Sequence, residues 1–381
     1  MGPPFSARLA WSTARNTLTT AADQQRAEGG LLWDLTQSNP TSAGIVYPPV
    51  HEPLADSRVL LYEPSALGLL SARQAVCEYY QCSVTPDRVL LTASTSEAYS
   101  YLFKLLCNPG DEVLVPRPSY PLFDMLAQLE SVKVVQYPLH YDHGWFIDVE
   151  AVRHAISEQT RAIIWVNPNN PTGSFLKRAE YEAIARLCSS HGLALIGDEV
   201  FADYPIDVAT DGLPSLTGLN ECLSFSLSGL SKVCGLPQMK LGWIVANGPG
   251  SEEALNRLEW IADTFLSVGT PVQCAAPALL AARHPIQEQI RKRTQSNLRY
   301  LRVATVGTSC RLLRVEAGWY ATLQVPKTRS EEEWTLELLD RGVLVQPGFF
   351  FDFESEAYLI VSLLTEEDVF REGVRHILNA C

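Results

Sequence analysis

The spacing of apolar residues changes period repeatedly between positions 67 and 250. Residues 67–81 carry apolar side chains at helical spacing, and 89–92 form a short apolar run of strand length. A second helical pattern over 96–107 stops at Asn108-Pro109-Gly110-Asp111, a string that ends helices and forms turns. Strands are expected next at 112–115 and 132–137, with a helix between them at 120–129. Wholly apolar strands at 162–166 and 193–197 flank a helix that ends near Gly192, and strands at 223–227 and 241–246 complete the series. Such strands have no polar side to turn to water. Separated by amphipathic helices, they predict a mainly parallel sheet covered on both faces.

Beyond residue 252 the pattern lengthens into long helices. Strands follow around 320–325, 343–346 and 358–363, and a capped helix starts at Thr365. This predicts a second α/β layer with its own core. The expected division is a large domain over 46–255 and a smaller one over 256–381, with residues 1–45 as an N-terminal arm that joins the smaller domain. A chain of 381 residues exceeds the size at which single cores stop growing, which also favours two domains.

Charge and cysteine usage narrow the function classes. A formal net charge of -13 opposes the clustered basic surface that nucleic acid requires. The nine cysteines are scattered, include no CxxC pair and have no accompanying His cluster. Reduced thiols are therefore expected, with no disulfide framework and no metal site. No apolar run reaches 18 residues and the N-terminus lacks a secretory pattern, so a cytoplasmic protein that engages no membrane is expected.

One string carries most of the chemistry: Ser226-Leu-Ser-Gly-Leu-Ser-Lys232, with a second cation at Lys240. A lysine after small and hydroxyl residues suits an aldehyde cofactor, one amine bonding the aldehyde and another charge holding a phosphate. Four further strings surround it in order: Tyr62-Glu-Pro-Ser-Ala-Leu-Gly68, Thr92-Ala-Ser-Thr-Ser-Glu97, Asn167-Pro-Asn-Asn-Pro-Thr-Gly173 and Asp198-Glu-Val-Phe201. Together they resemble the class I/II aminotransferases, fold type I enzymes that depend on pyridoxal 5'-phosphate (PLP). The resemblance runs from about residue 35 to the C-terminus and implies an aspartate aminotransferase-like α/β fold.

It also implies roles. Lys232 would form the Schiff base and carry the proton between the substrate's α carbon and C4' of the cofactor. Asp198 ends an apolar strand, where an unpaired carboxylate is costly and a pyridinium N–H would satisfy it. Asn170 would donate to the cofactor's O3' oxygen, within a string that is also a good turn sequence. Ser94, Thr95 and Ser96 open a helix, with Ser94 and Glu97 in a capping-box pattern, and that helix end suits a phosphate. Tyr120 would stack on the cofactor ring, and Lys240 stands where the family has a phosphate-binding arginine. Tyr62 matches a tyrosine that reaches the neighbouring subunit's phosphate, which implies a homodimer. The loop Gln37-Ser38-Asn39-Pro-Thr41 resembles a segment that closes over the substrate, making Ser38 and Asn39 substrate-binding candidates. Gly318-Trp-Tyr320 and Pro347-Gly-Phe-Phe-Phe351 resemble smaller-domain segments near the site.

Three positions depart from the family. Phe201 replaces a tyrosine that hydrogen-bonds O3'. Gly229 replaces a hydroxyl residue that binds the phosphate, leaving Ser228 or Ser231 to substitute. Ile360 stands where the family's arginine grips the substrate carboxylate, and no arginine occurs from 342 to 370. An amine or masked carboxylate would suit such a site, unless another cation such as Arg117 serves. The expected activity is PLP-dependent transfer of an amino group between an amino acid or amine and a 2-oxo acid. Another PLP reaction on the same scaffold, as a beta-lyase, decarboxylase or amino-acid oxidase or cyclase, is the alternative. A PLP-binding regulator without catalysis is disfavoured by the acidic charge and the lack of room for a DNA-binding module before residue 35.

Overall fold

The pattern of short apolar strands becomes an eight-stranded sheet in the computed structural model, which describes residues 5–9, 11–207, 211–213, 215–355 and 357–381. Helix α1 (Thr17–Ala27) and strand β1 (Trp33–Asp34) precede α2 (Leu70–Tyr79), β2 (Val89–Thr92), α3 (Thr95–Leu106), β3 (Glu112–Arg117) and α4 (Phe123–Leu129). Next come β4 (Lys133–Tyr141), β5 (Trp145–Ile147), α5 (Val149–Ala155), β6 (Thr160–Val166), α6 (Arg178–His191) and β7 (Ala194–Asp198). Then β8 (Ser224–Gly229), α7 (Leu230–Val233), β9 (Gly242–Asn247), α8 (Ser251–Asp263) and α9 (Thr270–Ala281) follow. The sheet order is β2-β9-β8-β7-β6-β3-β4-β5, with the five central strands parallel and β2, β9 and β5 antiparallel to their neighbours.

Strands β6, β7, β8 and β9 are almost wholly buried because helices cover both faces. Alternate residues of each strand feed different cores. Phe225, Leu227 and Ile244 pack with Tyr99, Phe103 and Leu258 on one side, while Trp165, Leu195 and Trp243 belong to cores on the other. Helix α6 ends on Gly192 in the left-handed conformation, which the missing side chain permits.

The second layer begins with α10 (Arg283–Ala304). It continues through β10 (Arg311–Leu312), β11 (Tyr320–Gln324), α11 (Glu331–Asp340), β12 (Val343–Leu344), β13 (Gln346–Pro347), β14 (Tyr358–Ser362) and α12 (Glu367–Ala380). An antiparallel sheet of order β10-β11-β14-β13 packs around Leu323, Trp334, Leu359, Val361 and Phe370. Strand β1 pairs in parallel with β12, so the N-terminal segment is tied into this layer, and Leu35 joins its core.

Several expected boundaries move. The helix expected over 67–81 occupies Leu70–Tyr79, and the one expected from 120 starts at Phe123, after Pro121. Strand β5 turns back on β4 through Asp142-His143-Gly144, a short hairpin that the apolar pattern did not mark. The division at 255 also needs correcting. Leu258 and Ala262 of α8, and Ala275 and Leu279 of α9, pack on the large sheet, so the change of core falls at the start of α10.

Candidate active site

Parallel strands present their carboxyl ends along one edge of the sheet, and open α/β sheets bind ligands there. The ends of β2, β6, β7 and β8, with the start of β9, surround a cavity of about 400 Å³. Its lining brings together Ser94, Thr95, Ser96, Tyr120, Asn170, Asp198, Phe201, Ser231, Lys232 and Lys240 from the sequence-derived candidates. Ser38 enters from the N-terminal segment and Tyr320 from β11, so the cavity lies where the second layer meets the large sheet.

At one side, Ser94 caps α3 by accepting from the Glu97 N–H at 3.2 Å, while a Glu97 carboxylate oxygen accepts from the Ala93 N–H at 2.6 Å. The next N–H groups, of Thr95 and Ser96, have no helical carbonyl above them, and both residues line the cavity. Ser231 and Lys240 complete that side. Backbone donors, hydroxyls and one ammonium make a setting for a phosphate.

Asp198 also lines the cavity. Its carboxylate accepts from the Tyr99 hydroxyl at 3.1 Å and from the Val200 N–H at 3.3 Å. Burial pushes its pKa up to about 6, against the lowering effect of these two donors and of Lys232. Burial also brings Lys232 down to about 8, with Asp198 acting in the opposite sense. The Lys232 ammonium sits 4.9 Å from the Trp319 ring centre and 5.5 Å from that of Phe201, so aromatic faces fix its direction. Tyr204 anchors the same residue by donating its hydroxyl to the Lys232 carbonyl.

Tyr120 stands at the wall with its ring edge-on to Phe123, and burial pushes its phenol up to about 12. The Asn170 Oδ1 atom is buried without a hydrogen-bond partner among the described residues. A buried carboxylate, a side-chain amide and an N-terminal helix turn lining one cavity are matched by one ligand that carries a ring N–H, an acceptor oxygen beside it and a phosphate. PLP has that set, and the residues present fit it.

The remaining candidates lie elsewhere. Tyr62 is 78% exposed and lines a separate small cavity with Tyr101 and Gln273, outside the site of its own chain. Asn39 is exposed, and its side chain accepts from the Thr41 N–H and hydroxyl, capping a short turn instead of facing the cavity. Ser228 is buried, but strand alternation puts it opposite Trp243 in register, away from the lining, so of the two serines Ser231 reaches the cavity. Ile360 is fully buried in an apolar cluster with Trp145, Leu313, Phe351 and Phe353 and does not line the cavity. Arg117 is held by the Asp352 carbonyl at 2.7 Å and by Glu354, and takes no part in the lining.

Gly229 has a structural reason to lack the hydroxyl. A Cβ there would come within 2.9 Å of the Leu241 carbonyl oxygen and 3.0 Å of the Gly242 Cα, both backbone atoms of the adjoining chain. Gly229→Ser should lower stability by about 1–3 kcal/mol through this overlap. Urea denaturation of the cofactor-free protein checks it; an unchanged midpoint would mean that the strands separate freely.

Sequence reasoning missed Tyr99 and underused Trp319. Tyr99 reads as one more aromatic on the inner face of a helix, and only the fold reveals its hydroxyl on Asp198. Trp319 and Tyr320 sit in a string already associated with the site, but nothing in that string specifies which ring meets Lys232.

Comparison with known proteins identifies the family. The family model of aminotransferase class I and II matches residues 51–377. Glutamate-pyruvate aminotransferase AlaA of Haemophilus influenzae is 30% identical over 368 residues, covering 91% of this chain and 90% of its own. Arginine--pyruvate transaminase AruH of Pseudomonas aeruginosa is 30% identical over 320 residues, covering 81% and 80%. The solved alanine aminotransferase from Pyrococcus furiosus shares the fold with a TM-score of 0.88 at 24% identity, over 99% of both chains. With the lysine, the buried carboxylate and the helix terminus meeting in one cavity, and with this similarity spanning nearly the whole sequence, the chain belongs to the class I and II aminotransferases, PLP-dependent enzymes that transfer amino groups.

Proposed function

We propose that Lys232, Asp198 and the N-terminal turn of α3 are the working parts of the transfer, with Lys232 as the covalent and proton-moving residue. The observation that carries this reading is the meeting of Lys232 and Asp198, from adjacent parallel strand ends, in one cavity. PLP, when bound, supplies an aldehyde for the amine to join and a ring that accepts electrons from the substrate carbon. Ser94, Thr95, Ser96, Ser231 and Lys240 hold its phosphate. Asp198 would keep a proton on the ring nitrogen, the Asn170 amide N–H would donate to the neighbouring oxygen, and Tyr120 would cover the ring face.

Lys232 Nζ would take the proton from the carbon that bears the amino group and would return it at the cofactor's side. Its pKa of about 8 leaves a useful fraction of free amine near neutral pH, as a general base requires. Trp319, Phe201 and Tyr204 aim the side chain and keep water from its stem. Ser38, tethered to Tyr320 on the second layer, closes the substrate side.

The test is a half-reaction. PLP-loaded protein mixed with an amino donor in the absence of acceptor should lose its visible absorbance and release one carbonyl product per site. Release of ammonia with the absorbance restored would replace transfer by elimination. Phe201→Tyr places a phenol where the cavity has only a ring face. It should lower the pH midpoint of the loaded protein's visible absorbance by about 1 unit, the order of one hydrogen bond to a charged group. A midpoint unmoved or raised removes this role for position 201.

We further propose a cytoplasmic homodimer in which Tyr62 serves the neighbouring site. Its exposure beside Leu60 and Leu61, also exposed, supports this. Sedimentation should give a dimer, and Tyr62→Ala should weaken PLP binding with the dimer intact. A fully active monomer would rule it out.

A further inference from the structure

A tyrosine hydroxyl lies deep in the apolar core of the large sheet. Tyr99 is 1% exposed and packs in one cluster with Phe103, Phe123, Phe225 and Leu227. A hydroxyl buried there costs free energy unless it finds a partner, and phenylalanine would fill the same space without that cost. Its partner is the Asp198 carboxylate, to which it donates at 3.1 Å. Of the two, the carboxylate has the greater need, because burying a charge costs far more than burying a hydroxyl. Burial first, and the nearby Asp198 next, push the phenol well above its ordinary range, so it stays protonated and remains a donor.

Position on the helix gives this contact a second meaning. Tyr99 follows Thr95 and Ser96 by one turn of α3 and therefore shares their face. The first turn meets the phosphate side of the cavity, and the second reaches the carboxylate proposed to face the ring nitrogen. The Tyr99 ring is held from the side by Phe123, edge-on at 5.4 Å, and Phe123 also stands edge-on to Tyr120 at 5.9 Å. The other groups around Asp198 act on it differently. Lys232 acts through its charge, Tyr120 stands in the cavity wall, and Glu199 accepts from the Ser215 hydroxyl and the Leu216 N–H. The Val200 N–H holds one carboxylate oxygen of Asp198, and Tyr99 supplies the side-chain hydrogen bond to the other.

We propose that Tyr99 is a positioning residue for the transfer: from the second turn of α3 its hydroxyl keeps the Asp198 carboxylate ionised and in place, so that one helix sets both the phosphate end and the ring-nitrogen end of the site. The inference rests on the function proposed above and extends it to a residue outside the cavity lining. Without the hydroxyl, the Asp198 pKa, already raised by burial, rises further. The charge-dependent cost of burying Asp198 is absent below its unfolded pKa in either protein. In the parent it is complete above about pH 6, whereas in a variant without the hydroxyl it keeps growing to a higher pH. The difference between the two therefore belongs to the range above pH 6.

Tyr99→Phe keeps the ring and removes only the oxygen. In the cofactor-free protein its urea midpoint should fall below the parent's at about pH 7.5 and clearly less at about pH 4, where the folded Asp198 is protonated. Adding Asp198→Asn should abolish the excess loss at the higher pH, because no charge is left to lose its donor. With PLP bound, the half-reaction of Tyr99→Phe should slow by about 10–10²-fold, the order of one hydrogen bond to a charged group. A residue that only packs would displace the midpoint equally at both pH values, or leave the rate at the parent's; either result overturns this inference alone. If Tyr99→Phe does not fold, the double variant with Asp198→Asn should, and failure of both would assign the hydroxyl to packing and overturn the inference. Asp198→Asn as fast as the parent overturns the functional reading, and this inference with it.

Discussion

Lys232→Ala is expected to lower the half-reaction rate by at least about 10⁴-fold, the upper end of what one positioned acid–base group supplies. Two losses coincide in this variant. The amine proposed to bond the cofactor is gone, and no other described side chain in the lining can take its place as a base beside the substrate carbon. Asp198 would be engaged with the ring N–H, the Tyr120 phenol is pushed up to about 12, and Lys240 would be engaged with the phosphate. The phosphate setting is untouched, since Ser94, Thr95, Ser96, Ser231 and Lys240 all remain. The variant should therefore still bind PLP noncovalently, which equilibrium dialysis would show, while the lysine-linked visible band disappears. Folding should persist, because Tyr204 bonds the main-chain carbonyl of residue 232 and the change removes only the side chain. A variant that retains more than about a hundredth of the parent rate would exclude Lys232 as the proton carrier.

What the sequence made legible follows from how local each feature is. Lys232, Asp198, Ser94 and Asn170 each sit where a strand gives way to a turn or helix. That backbone event is written in a few neighbouring residues, so the string and its place in the fold are found together. Ile360, Ser228 and Asn39 are different, because their roles depend on which way a side chain faces. Ser228 lies on the Trp243 side of β8 only because of its register with β9, a pairing between distant strands. Ile360 was a substrate-site candidate by position along the chain, whereas the pairing of β11, β14 and β13 and the packing of Trp145 and Phe351 put it in a buried cluster behind Tyr320. Asn39 satisfies its own turn, a local alternative that its sequence permits equally well. The boundary at 255 failed for a related reason. Helix α8 has the amphipathic pattern of either layer and α9 is apolar on most of its faces, so only packing assigns them to the large sheet.

Asp198→Asn should separate stability from activity. In the cofactor-free protein the Asp198 pKa rises from 3.8 to about 6 because burial penalises the carboxylate. A raised acid pKa means that the folded state holds its proton more tightly than the unfolded state. Stability is therefore complete below pH 4 and is lost progressively as pH rises to 6. Above pH 6 the parent carries the full cost, about 2–3 kcal/mol for a shift of this size. Asparagine has nearly the same shape and no charge. The cofactor-free variant should gain most of that amount at pH 7.5 and little at pH 4, where the folded parent's side chain is protonated. Glu199 is also buried and pushed up to about 7, so the comparison must be variant against parent at each pH, letting its contribution largely cancel. Urea midpoints at the two pH values give the result. The same substitution leaves no anion to hold a proton on the cofactor's ring nitrogen, and the half-reaction should slow by about 10²–10⁴-fold. Equal stability of parent and variant at pH 7.5 would show that Tyr99, Val200 and Lys232 already offset the burial of Asp198. Loss of stability with activity retained would assign the carboxylate a structural role in place of a catalytic one.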